Sequence, residues 1–430
     1  MQKFGQGALC VLIASAFAGP AIAAPCTGAN IEASPIVAGA PLTLDIALRK
    51  VRQSSPEVQR AALETRARQA EADQAGRRLN PSVGFEVENF TGSGPLSGFG
   101  QSEATLSFEQ TFELGGKRGK RELAARARAD LGTAECETMK RMVQLEAASL
   151  FYDIVAAQEV ADLATQSSEL AESLAGTVAK RVEAGAAAPP ELLRARADAA
   201  RLKAAAIAAQ ADIESKSNQL AALWGSAKPA FSGAVNRKSV YESKDVPFGE
   251  ISSHPDIALA NASEDVRRAE QMVARAKGVP DLTLSAGLRR FEDTGDSAFL
   301  LGVSVPIPLF DKNRDAARAS GIRAESARIN AVATEARLRA RRETATLQVR
   351  TAQSRLNLLN NEALPSASAA YDAAVQGYTA GRFDLTTTLN ARKELIDAGV
   401  AIINARRELN NAASELQSLI GVYPFNGDIQ

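Results

Sequence analysis

Two regions of the chain, near residue 83 and near residue 282, alternate strictly between apolar and polar side chains, and after a loop each is followed by a second alternating stretch. Val83, Phe85 and Val87 fall on one side of the first, with Glu86 and Glu88 on the other. Past a loop holding Gly92, Gly94, Pro95, Gly98 and Gly100, Leu106, Phe108, Phe112 and Leu114 alternate with Ser107, Glu109, Thr111 and Glu113. Leu282, Leu284, Ala286 and Leu288 make a third face, and Leu301, Val303, Val305, Ile307 and Leu309 a fourth, after a loop around Glu292 to Asp296. Period-two alternation gives a strand one apolar and one polar face. The pattern predicts strands over 82–89, 104–114, 281–291 and 299–309. Pro81 and Pro280 end the helices ahead of them, because a residue before proline disfavours helical torsions. Pro306 and Pro308 have no N–H for a ladder, and they fall near the end of the last strand.

The rest reads as long helix. Residues 119–182 and 311–364 contain no proline, and 64 helical residues would extend about 96 Å. Leu163, Leu170, Leu174, Val178 and Val182 recur at sevens and fours, and Leu395, Ile402, Leu409 and Leu416 every seven. That spacing sets up a seam for knobs-into-holes packing, and the many alanines between allow close approach. Gly185, Pro189 and Pro190 interrupt one run and Gly377 to Gly381 the other, which marks turns where the helices reverse.

The chain is written twice. Pro56 and Pro81 return as Pro255 and Pro280, both 199 residues on. Leu114 to Lys117 meets Leu309 to Lys312 at a spacing of 195, and Val182-Glu183-Ala184-Gly185 meets Tyr378-Thr379-Ala380-Gly381 at 196. Constant offsets in constant order indicate one duplicated unit. We read 1–23 as a signal peptide, 24–245 as the first structural repeat, 246–422 as the second and 423–430 as a C-terminal tail. The fold class is mainly α with a small β part.

Four strands cannot close around water. In lipid their edges would leave backbone groups unpaired, so a membrane location requires other chains to complete a ring, and three chains would supply twelve strands. The competing reading is a periplasmic coiled-coil protein with two hairpins packed on a soluble helical body.

The N-terminus changes the compartment. Lys3, the apolar run Leu9 to Ala18, the break at Gly19-Pro20 and the small residues Ala21-Ile22-Ala23 have the form of an export signal. About 405 residues remain after it, and none of the later stretches has 18 consecutive apolar residues, the length a helical span needs. Lys plus Arg equals Asp plus Glu at 50 each, which argues against nucleic-acid binding. Cys26 and Cys136 remain, and spacing does not show whether they pair. Pro25 stands where a lipidation signal at Cys26 wants a small non-proline residue.

No chemistry of catalysis or of cofactor binding emerges. His254 is the lone histidine, placed before Pro255 at a helix start, and no nucleophile–base set surrounds it. No CxxC, HExxH or paired-histidine spacing offers a tight metal site. Gly115-Gly116-Lys117-Arg118-Gly119-Lys120 lacks the spacer and the Ser/Thr of a phosphate loop. A conduit needs instead a wet lumen with a favourable field and a constriction. Glu86, Glu88, Glu109 and Glu113 oppose the apolar strand faces, so they are lumen acids or, alternatively, line an outer loop surface. Arg382 and Asp384, beside Gly381, are gate residues or a solvated salt bridge.

These stretches carry a resemblance. Asn80-Pro81-Ser82-Val83-Gly84-Phe85-Glu86-Val87-Glu88-Asn89 and Phe112-Glu113-Leu114-Gly115-Gly116-Lys117-Arg118 resemble the first strand and the return into helix of the heavy-metal, CzcC-like branch of the TolC-like outer membrane factor family. Gly377-Tyr378-Thr379-Ala380-Gly381, with Leu385 and Leu389, is similar to the wider family's helix-turn pattern. The resemblance runs from about Leu42 to Val422. It implies a homotrimer with a twelve-stranded transmembrane β-barrel in outer-membrane lipid and a long α-helical coiled-coil barrel in the periplasm. It also implies a periplasmic membrane-fusion adaptor and a proton-driven inner-membrane exporter of the RND type, with cobalt, zinc, cadmium, nickel, copper or silver as cargo. Some relatives narrow the tunnel with acids shortly after the repeat glycine. The positions counted from Gly381 are Thr387 and Asn390 here, so the acid is missing at both. The same fold also carries drugs or other small organic molecules.

Overall fold

The computed structural model describes Cys26, residues 39–235, Ile251 and residues 254–419. The expected signal peptide and C-terminal tail lie outside the described residues.

Short helices open each half. Helix α1 (Leu44–Ser54) leads into α2 (Pro56–Ala75), and α5 (Pro255–Ala276) opens the second half. Pro56 and Pro255 both stand in the first helical turn, where the missing N–H costs nothing. His254 is the N-cap of α5, and its Nδ1 accepts from the Asp256 amide at 3.1 Å.

The strands are β1 (Ser82–Glu88), β2 (Glu103–Phe112), β3 (Leu282–Phe291) and β4 (Ser297–Ser304). They form one antiparallel sheet in chain order, so β1 and β4 are its free edges. The last strand stops five residues short of the alternating pattern, which reaches Leu309. Pro306 and Pro308 cannot donate to a ladder, and residues 305–309 leave the sheet.

Each hairpin returns to a long helix. Gly115 and Gly116 both adopt left-handed torsions, at φ 68° and 70°, where a side chain is strained. They turn β2 into α3 (Lys117–Glu183), whose 67 residues extend about 100 Å. The second hairpin uses Asn313 at φ 53°, whose Nδ2 donates to the Ala274 carbonyl at 2.5 Å. Lys117 Nζ, 2.8 Å from Asp281 Oδ1, ties the two junctions together.

Helix α3 doubles back into α4 (Pro189–Ala222). In the second half α6 (Arg314–Leu358) passes through a π-helical turn at Leu359–Ala363 into α7 (Leu364–Thr379), which reverses into α8 (Leu385–Leu419). The π turn lies just before Pro365, which cannot supply a helical N–H, and the extra residue absorbs that break.

The predicted seams are packed, with one exception. Ile402, Leu409 and Leu416 are buried against Leu338, Val349 and Leu356 of α6. Leu174 and Val178 are buried against Tyr378 and Leu385, whereas Leu170 faces outward. A further core, within the first half of the chain, gathers Leu48, Val51, Phe151, Ile154, Leu220 and Trp224. Cys26 and Cys136 form a disulfide beside Ala62.

Candidate functional site

The ladder register sorts the sheet into two faces. Phe85, Leu106, Leu288 and Phe299 stand abreast, and the next row is Val83, Phe108, Ala286 and Leu301. This face has no cover: Phe299 and Leu301 are 89% exposed, and Val83, Phe85 and Val303 71%. An apolar surface this continuous marks a lipid or protein contact. Among the described residues no helix is long and apolar enough to cross a membrane. The free sheet edges make the same demand, since unpaired amides and carbonyls need partners wherever water is absent.

The opposite face is polar. Its rows run Ser82, Glu109, Ser285, Gly302 and, nearer the loops, Glu86, Thr105, Arg289, Ala298. The sheet thus brings Glu86, Glu88 and Glu109 onto one surface, joined by Glu103 and Arg289. Glu103 and Arg289 escaped the sequence reading, although both sit in phase with the polar residues around them. Glu113 lies just past β2, and its carboxylate is held by Arg121 of α3, which also donates to the Ala75 and Arg77 carbonyls. Its charge is spent on fastening the strand to the helix.

The helical tip lies at the other end. Gly381 takes a left-handed torsion of 73°, and the Arg382 amide donates to the Gly377 carbonyl at 2.7 Å. Phe383 folds onto Gly377, where an added Cβ would come within 2.1 Å of the ring. Asp384 caps α8, its Oδ1 accepting from the Thr387 amide at 2.8 Å. The hydrogen bonds from Thr387 hold the Asp384 carboxyl below the usual carboxylate range. Arg382, Asp384, Thr387 and Asn390 are all exposed, and no ion pair joins Arg382 to Asp384.

A set of tip contacts that the sequence reading missed joins the two helical hairpins. Arg181 of α3 lies over the Tyr378 ring, 4.5 Å from its centroid, and donates to the Tyr378 and Ala186 carbonyls. The Tyr378 hydroxyl donates to Glu191 Oε2 at 3.2 Å, and burial followed by that carboxylate raises the phenol's pKa. Arg194 reaches Thr386 Oγ1 at 3.0 Å, and Arg392 of α8 pairs with Asp198 of α4. Three of these pairs, Arg181–Tyr378, Arg194–Thr386 and Asp198–Arg392, stand 192 to 197 residues apart, close to the repeat offset of 196, so the duplication was the signal that could have found them. Arg141 ties the body similarly, with Asp256 at 3.0 Å and Ser418 at 3.3 Å. Among the described residues no cluster of three metal-binding side chains occurs.

A family model described as outer membrane efflux protein matches residues 47–226 and 250–422. The cobalt-zinc-cadmium resistance protein CzcC of Cupriavidus metallidurans is 29% identical over 415 residues, covering 95% of this chain and 98% of that protein. The nickel and cobalt resistance protein CnrC of the same organism is 30% identical over 309 residues, covering 69% and 71%. Among solved structures, CusC superposes with a TM-score of 0.75 at 15% identity over 95% of this chain and 99% of that one. VceC of Vibrio cholerae gives 0.73 at 20% identity over 88% and 96%.

Proposed function

Since the chain belongs to the outer membrane efflux protein family, we propose that it is the outer-membrane channel subunit of a tripartite, proton-driven efflux system and passively conducts divalent heavy-metal cations from periplasm to exterior. The uncovered apolar sheet face with two open edges carries this reading. Three copies joined edge to edge would pair every backbone group and turn that face to lipid, leaving the polar face around a wet lumen. Exposed Ile322 and Ile329, seven residues apart on α6, offer apolar surface for a neighbouring subunit in the same assembly. A passive conduit asks for no catalytic residues; the driving force comes from the inner-membrane exporter, reached through a periplasmic adaptor.

In this reading the two halves of the chain are copies of one unit, and the exposed turn with Arg382, Asp384, Thr387 and Asn390 is the periplasmic end where the tunnel narrows. The cargo rests on similarity to resistance proteins for cobalt, zinc, cadmium and nickel. Attraction for cations comes from Glu86, Glu88 and Glu109, each repeated threefold around the lumen, with Glu88 partly offset by Arg289.

Purification in detergent tests the assembly and is expected to give a trimer; a stable detergent-free monomer would remove the barrel. Gene deletion tests the cargo. Sensitivity to zinc, cobalt, cadmium or nickel is expected, and unchanged metal tolerance with lost dye tolerance would assign organic cargo instead.

A further inference from the structure

Arg289 occupies the polar face of the sheet and reaches carboxylates on two other strands. Its Nη2 lies 3.0 Å from Glu88 Oε2 on β1, its Nη1 2.7 Å from Glu103 Oε2 on β2, and its Nε donates to Thr105 Oγ1 at 2.9 Å. All three guanidinium nitrogens are engaged, a geometry that lysine's single ammonium cannot copy. The next residue, Arg290, points to the other face, where its ion partner is Glu292 at 3.8 Å.

The remaining carboxylates of the polar face, Glu86 and Glu109, make no ion pair among the described residues. Glu109 is four residues along β2 from Thr105, the residue in register with Arg289. At the strand rise that is roughly 14 Å, beyond the screening length of about 8 Å at physiological salt. The guanidinium therefore cancels charge near the loop end of the sheet and leaves Glu109, at the helix end, untouched.

We infer that Arg289 is a specificity-determining residue of the conduit, setting how strongly the loop end of the sheet attracts a cation. It offsets one of the two carboxylate charges of Glu88 and Glu103 and ties both into hydrogen bonds. Glu109 at the helix end and Glu86 in the row of Arg289 stay unpaired, and the loop end holds a cation less tightly than three unopposed carboxylates would. Conduction requires binding weak enough for the ion to leave, and the guanidinium supplies that weakening at the loop end. The inference rests on the channel reading.

The test is the reversal potential of the full-length purified protein in planar bilayers under a potassium chloride gradient. Neutralising one charge per subunit in R289Q is expected to raise the cation-to-anion permeability ratio roughly threefold to tenfold. R289Q/E103Q, which restores the charge balance, should return close to wild type. R290Q removes the same charge from the lipid-facing side and should change nothing. R289C should behave as R289Q, then lose the gain when a cationic thiosulfonate reagent is added; Cys26 and Cys136, paired and buried, do not compete. An unchanged ratio in both R289Q and R289C, or an equal shift in R290Q, would overturn the inference while leaving the channel intact. A wild-type protein that conducts nothing would instead remove the channel reading, and the inference with it.

Discussion

Arg392 of α8 is 3% exposed and its Nη2 is bonded to the Asp198 carboxylate of α4, so the last hairpin is locked to the first by a charge pair removed from water. Burial pulls the Arg392 pKa below its usual value. A buried pair behaves asymmetrically when it is broken. D198A strands a buried guanidinium and is expected to cost about 3–5 kcal/mol, whereas R392M leaves Asp198 with Arg201 as its partner and should cost less. Thermal denaturation and limited proteolysis at the tip would show this. Equal losses in the two variants would mean that packing, rather than charge, holds the tip.

Gly377 and Phe383 form a second coupled pair. A Cβ at residue 377 meets the Phe383 ring, so G377A should destabilise the tip by about 1–3 kcal/mol. F383A in the same chain removes the obstacle, and the double variant should be more stable than the sum of the single losses predicts. Strict additivity would count against the contact.

The disulfide between Cys26 and Cys136 closes a loop spanning 110 residues. Loss of a bridge over such a loop typically costs about 2–5 kcal/mol, so C136S should lower the thermal midpoint. A sulfur in a disulfide cannot also carry a thioether lipid. Intact mass under non-reducing conditions should show the mature chain without acyl groups, and a diacylglyceryl adduct at Cys26 would contradict the pairing.

His254 links stability to pH. Burial, then Arg141, lowers its pKa, Asp256 opposes that shift, and Arg341 on α6, itself paired with Glu415 of α8, adds to it. The native state therefore favours the neutral ring, whose Nδ1 caps α5. Because the folded pKa lies below the unfolded value of about 6.5, this contribution is complete above pH 6.5 and is lost as pH falls through the folded pKa. H254N keeps a capping acceptor and cannot titrate, so its melting temperature should be flatter than wild type between pH 7 and pH 5. Parallel curves would exclude the ring as the source.

Much of the fold was legible because its signals are local. Strand faces come from a period of two, the seam of Ile402, Leu409 and Leu416 from a period of seven, and the glycines at 115, 185 and 381 mark backbone that left-handed torsions require. The phase of Glu113 along the chain groups it with the polar strand residues. Sequence could not show that the β2–α3 turn brings Arg121 onto that carboxylate, nor that Asp384 would be engaged as a helix cap.

The amino-acid order by itself determined that this chain makes long helices, four two-faced strands and sharp reversals, because each depends on neighbours a few residues apart. The tertiary structure alone decided which charges remain free. Glu88 and Glu103 meet Arg289 across the sheet, Asp198 meets Arg392 across the hairpins, and Cys26 meets Cys136, all through contacts between segments that no local periodicity connects. Pairing of that kind depends on distance in space, and only the folded backbone sets that distance.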